Sequence, residues 1–131
     1  MTRPARIPRS LPQHERKPTE RLRPKHLAWL RSLGVCICCG RNFLAGGIAA
    51  MHVRCGTDGG TSLKPSDRFA LPGCNECHAR QHQVGELAFW SALGIDPLDY
   101  AARFWAVSGN TEQGLRTIMR AQQAIALHRA A

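Results

Sequence analysis

Gly73-Cys74-Asn75-Glu76-Cys77-His78-Ala79-Arg80-Gln81-His82 is the stretch whose reading decides the fold. It holds a Cys-x-x-Cys pair, an adjoining histidine and a second histidine four residues on. Another Cys-x-x-Cys pair, Cys36 and Cys39, lies upstream, and His52 sits between the pairs near the end of an apolar run. Two such pairs supply four thiolates, enough to close a tetrahedral site, so Cys36, Cys39, Cys74 and Cys77 are the expected ligands of a structural Zn2+. The segment between the pairs is longer than in a simple zinc ribbon, and a hairpin and loop must fit there. Cys38 is expected to turn away from the ion into the core. Cys74 to His78 also matches a haem-attachment pattern, but no export signal is visible and the second pair would be left without a purpose. No βαβ pattern surrounds either pair, which argues against a redox motif.

A chain of 131 residues holds one compact domain plus tails. The formal charge of +9 and pI near 10.1 favour a polyanionic partner, nucleic acid or an acidic membrane surface. No run of 18 apolar residues offers a membrane span, and the N-terminus lacks the apolar centre of a secretory signal, so a cytoplasmic protein is expected. There, six cysteines read as metal ligands before disulfides. Residues 1–25 carry five of the eight prolines and eight of the eighteen Lys and Arg residues. Proline removes backbone donors and like charges repel, so a disordered basic arm is expected, able to lie along phosphates.

The remaining pattern predicts alternating short elements. Residues 25–34 read as a helix stopped by Gly34, with Trp29 on the core and His26 at the surface. Residues 48–54 and 68–72 read as strands, separated by a loop over 55–67 long enough to suggest function. Helical spacing resumes after Cys77. A further helix starts near Val84 and ends at Gly94; Asp96 then caps a helix with Pro97 at its first position, running to about Val107. Thr111 is the expected cap of a last helix, with Leu115, Ile118, Met119, Gln122 and Ile125 on its buried face.

The histidines go beyond a structural zinc site. His78 and His82 are four apart on a helix and face the same way. They can hold a divalent ion, with His52 opposite from a strand. Hydrolysis of a phosphodiester needs a base to activate water and a cation to stabilise charge building on the phosphate. Imidazole suits the base, because its pKa lies near neutrality. Arg54, Lys64, Arg68 and Arg80 are candidates for holding flanking phosphates.

The order Cys-x-x-Cys, strand ending in histidine, then Cys-x-x-Cys-His-x-x-x-His resembles the zinc-knuckled HNH endonucleases. The runs Met51-His52-Val53-Arg54, Lys64-Pro65-Ser66-Asp67-Arg68 and Cys74-Asn75-Glu76-Cys77-His78 through Phe89-Trp90 look like phage and prophage HNH-type proteins, similar to the Ref-type recombination-enhancement nucleases. The resemblance covers roughly residues 25–106. It implies an α+β fold: a small zinc-stabilised ββα-metal core with flanking helices. The division is a disordered basic arm over 1–24, the zinc-knuckled HNH domain over 25–107 and a C-terminal amphipathic helix over 108–131. It implies a DNA endonuclease using Mg2+ or Mn2+, with His52 as general base, His78 as metal-binding histidine and His82 as a further ligand. DNA is the implied partner, with a recombination protein as a candidate second one. Two positions depart from the family pattern. Met51 stands where many HNH enzymes place a metal-binding Asp or His. The asparagine that orients the base has no match, and Asp67 is the nearest polar candidate. Weak intrinsic metal affinity is therefore expected.

Two other classes compete. A non-catalytic zinc-containing DNA-binding module would keep the cysteines and basic arm without needing the histidines. A protein-interaction module would expose Trp90, Phe104 and Trp105.

Overall fold

The computed structural model describes residues 21–43, 46–59 and 63–131. The fold mixes α and β. In chain order the described elements are α1 (Pro24–Ser32), β1 (Ile48–His52), β2 (Ala70–Cys74), α2 (Asn75–Val84), α3 (Glu86–Leu93), α4 (Pro97–Ala106) and α5 (Thr111–Ala130). The strands pair antiparallel, from Ile48 opposite Cys74 to His52 opposite Ala70. This is later than the expected second strand, because the Phe69 amide is spent in a turn bond to Ser66 while Ala70 to Cys74 join the ladder.

One core lies beneath the sheet. α1, α2 and α4 each pack on it, α3 packs on α2, and α5 closes over α3 and α4. Leu30, Ile37, Met51, Leu71, Phe104 and Ile125 are fully buried within it. Every residue of β2 is buried, as expected for a strand covered on both faces.

Asp96 caps α4 as its sequence indicates, its carboxylate accepting from the Leu98 amide at 3.0 Å. Gly94, at φ +80°, ends α3 in the left-handed conformation that glycine adopts without strain. α2 begins at Asn75, before Cys77, because Cys74 itself is the cap. α5 is capped by Asn110, whose side chain accepts from Gln113, with Thr111 the first helical residue. Its buried face is Gly114, Thr117, Ile118, Ala121 and Ile125, and Met119 is 61% exposed. Gly114 rotates that face inward: a Cβ there would stand 2.7 Å from the Trp29 ring, so only glycine lets α5 come so close. The last helix thus shares the common core, and its Gln122 amide donates to the Ile37 carbonyl inside the first cysteine turn.

His26 is not at the surface; it is 3% exposed, with Nδ1 2.6 Å from the Ser108 hydroxyl and its ring edge-on to Trp105. Trp90 and Phe104 are buried and Trp105 is half-buried, so the surface that a protein-interaction module would need is absent from these rings. Residues 1–20 of the expected arm lie outside the described residues. Arg21, assigned to that arm by its charge, belongs to the folded body: it is buried, with its guanidinium 3.0 Å from the Asp58 carboxylate. No helix among the described residues is long and apolar enough to cross a membrane.

Candidate metal and histidine sites

Two local devices build the cysteine cluster. The first pair sits on a turn closed by the Gly40 amide donating to the Cys36 carbonyl at 2.9 Å, with Gly40 at φ +74°. The Ile37 amide donates to Pro72 at 2.9 Å, pinning this turn to β2. The second pair arises because β2 runs directly into α2. Cys74 ends the strand, and its sulfur accepts from the Cys77 amide at 3.5 Å, where the helix N-terminus favours negative charge.

The sulfurs of Cys36, Cys39, Cys74 and Cys77 all lie within 4.8 Å of one another. Cys39 and Cys74 are 3.9 Å apart, close to the roughly 3.8 Å between sulfurs bound tetrahedrally at about 2.3 Å from zinc. All six cysteines are free thiols. The four can therefore hold a structural metal such as zinc. Cys38 is buried as expected, yet its thiol is not remote from the cluster: Cys36 and Cys77 push its pKa up, and burial adds to this. The same proximity lowers the pKa of Cys36 and of Cys77. Burial pushes the Cys74 thiol up, an opposing effect that a bound cation would reverse.

The histidines are organised separately. Alternation along β1 turns Met51 into the core, 1% exposed, and His52 to the other face. The His52 side chain is 13% exposed, and its Nε2 is 3.0 Å from Oδ1 of the buried Asp67. Asp67 is itself fixed. Its Oδ2 accepts from the Arg23 amide at 2.7 Å, and its own amide donates to the Arg21 carbonyl at 2.9 Å.

On α2, His78 and His82 face each other, with Nε2 atoms 3.2 Å and ring centroids 4.8 Å apart. The pKa of His78 is lowered, first by burial, then by the nearby positive charges of His82 and His52. His52 and the α2 pair therefore share an electrostatic neighbourhood. Among the described residues, however, the cysteines form the group in which three or more ligand atoms converge, and the histidines add no second one. His52 spends its Nε2 on Asp67 rather than turning it to the α2 pair.

Arg54, Lys64, Arg68 and Arg80 are all exposed. Arg54 bonds the Leu63 carbonyl at 3.1 Å, and Arg68 lies over the Phe69 ring. Arg80, two residues from each α2 histidine, leaves the helix on a different side.

Sequence reasoning missed Glu86, Arg21, Arg23 and Asp58. The Glu86 carboxylate accepts from the amides of Arg54 and Cys55 at 2.8 and 2.7 Å, anchoring the chain just after β1. Asp58 accepts from the Ser66 amide at 2.9 Å and from the Ser66 hydroxyl. Burial pushes its carboxyl pKa up, but the Ser66 bonds and the Arg21 charge outweigh this and leave it lowered. Only the Asp58-Gly59 turn signal was visible locally; the partners are far along the chain. No protein-family model, curated protein or solved structure matches this chain.

Proposed function

We propose that the chain is a metal-dependent HNH-type endonuclease that hydrolyses DNA phosphodiester bonds, in phage or prophage DNA processing or recombination. On this reading β1, β2 and α2 are the ββα-metal core. The observation that carries it is the His52–Asp67 pair, 3.0 Å apart at the end of β1, with two facing imidazoles on α2 near enough for His78 to feel the His52 charge.

A buried carboxylate at Nε2 keeps the proton of neutral imidazole on that nitrogen and leaves the Nδ1 lone pair free. Nδ1 of His52 is then the atom that takes a proton from water as the water oxygen bonds to phosphorus and the bond to the leaving oxygen breaks. Asp67 orients the ring. Arg54, Lys64 and Arg68 bind neighbouring phosphates, with Arg80 contributing from a different side of α2.

His78 and His82 would hold the catalytic ion. Their Nε2 atoms, 3.2 Å apart, are close enough together to share one ion. Imidazole is not the ligand that Mg2+ or Mn2+ prefers, so two histidines alone would hold either ion weakly. When bound, the ion would supply charge stabilisation at the phosphate. Water and phosphate oxygens would complete its coordination.

One observation favours the alternative, a non-catalytic zinc-containing DNA-binding module: the cysteines alone form a convergent ligand group among the described residues. Incubation of purified protein with plasmid and short duplex separates the two. Cleavage that needs added Mn2+ or Mg2+ and stops on chelation supports the nuclease. Binding without cleavage, across duplex, single-stranded and branched DNA with either ion, supports the module.

A further inference from the structure

The segment entering α1 is bonded to the loop that carries Asp67 at four points. The Arg21 guanidinium meets the Asp58 carboxylate at 3.0 Å and also donates to the Lys64 carbonyl. The Arg21 carbonyl accepts from the Asp67 amide at 2.9 Å, and the Arg23 amide donates to Asp67 Oδ2 at 2.7 Å. Asp58 in turn accepts from the amide and hydroxyl of Ser66, the residue before Asp67. Arg21 is 9% exposed and Asp67 3%, so water does not readily replace these bonds. They leave Asp67 one oxygen turned to Arg23 and the other to His52.

We propose that Arg21 is a positioning residue: it straps Asp58 and the segment over 64–67 against the start of α1 and thereby holds the Asp67 carboxylate at Nε2 of His52. It acts through Asp67 and touches no reacting atom. A backbone amide alone fixes Oδ2, but it does so only while the Arg21 side chain keeps the two segments in register. The proposal rests on the reading of His52 as the base for its kinetic consequence, though not for its structural one.

The test compares full-length wild type with Arg21→Ala, Arg21→Lys and Asp58→Asn by long-range proton–nitrogen NMR of the His52 ring, with Asp67→Asn as reference. The wild type should show a single tautomer protonated at Nε2. Arg21→Ala should shift His52 toward the mixed-tautomer signature of Asp67→Asn, and Arg21→Lys should restore part of the wild-type signal. In cleavage assays, Arg21→Ala should lower kcat by about 10²-fold, the scale of a misplacement near 1 Å, with little change in KM. Should Arg21→Ala fail to fold, Asp58→Asn decides: it removes the charge partner while keeping side-chain shape, and should move His52 in the same direction.

An unchanged His52 signature in a folded Arg21→Ala or Asp58→Asn variant overturns the proposal, even if thermal stability falls. A moved signature in a protein that cleaves nothing upholds the strap and sinks the nuclease reading. Wild-type cleavage with an unmoved signature sinks the strap and keeps the nuclease.

Discussion

The Met51 thioether lies against Gly73: a Cβ added at Gly73 would stand 2.4 Å from the Met51 sulfur. This packing, beneath paired strands, is the physical reason that the position before His52 offers no ligand to the histidine face. The side chain is committed to the core. Gly73→Ala should cost about 1–3 kcal/mol by overpacking, read as a lower midpoint in denaturant unfolding.

Zinc should hold the knuckle together. Cys74→Ser removes a sulfur that is both ligand and helix cap, so bound zinc should be lost and most of the domain should unfold. Cys38→Ser should keep one zinc per chain by elemental analysis. An unchanged melting temperature for Cys74→Ser, or loss of zinc from Cys38→Ser, contradicts the assignment of ligands.

His52→Ala should leave DNA binding in place and lower cleavage by about 10²–10⁴-fold, the usual contribution of a general base. His78→Ala should instead raise the Mn2+ concentration needed for cleavage or abolish activity at any level. Full cleavage by His52→Ala would remove it from the mechanism.

Deleting residues 1–20, which ends before the buried Arg21, removes five basic residues. Each phosphate contact adds about 0.7–0.9 to the slope of log K against log salt. The truncated protein should bind DNA more weakly and with a slope flatter by up to about four. An equal slope in both proteins would show that those residues make no phosphate contacts.

Stability should fall in mild acid because of His26. Burial lowers its pKa below 6.5, the Asp67 charge opposing this only in part. As pH drops through 6.5, the unfolded chain takes up a proton that the folded imidazole resists, so the unfolded state gains. Well above that pH both states are neutral and the contribution vanishes. The difference in unfolding free energy between wild type and His26→Gln should therefore vary between pH 7 and 5 and be flat between pH 7.5 and 8.5. A difference independent of pH would mean that His26 does not resist protonation.

Local chemistry was legible where neighbours in sequence do the work. Asp96 before Pro97, Gly94 in the left-handed region and the two cysteine turns all follow from contacts within a few residues. Features set by distant partners were not. His26 is buried because Trp105 and Ser108 close over it from the far end of α4. Met119 carries the right spacing for the core, but Gly114 rotates the face of α5 away from it. In the histidine site, the spacing of His78 and His82 announced their meeting, whereas the Arg21 and Arg23 bonds to the Asp67 loop join residues at least 37 positions apart.

At the cysteine knuckle, the Arg41 guanidinium lies 3.4 Å from the Cys39 sulfur and 2.6 Å from Glu76, and a cleft beside it is also lined by Arg80 and Arg129. Four thiolates around one dication make a dianion. Loading the metal would thus bring the formal charge from +9 to about +7, concentrating two negative units beside three guanidinium groups. These arginines would then act as counter-ions to the cluster, and metal occupancy would set how much of their positive field is left for phosphate. The knuckle that stabilises the fold would also tune its surface potential.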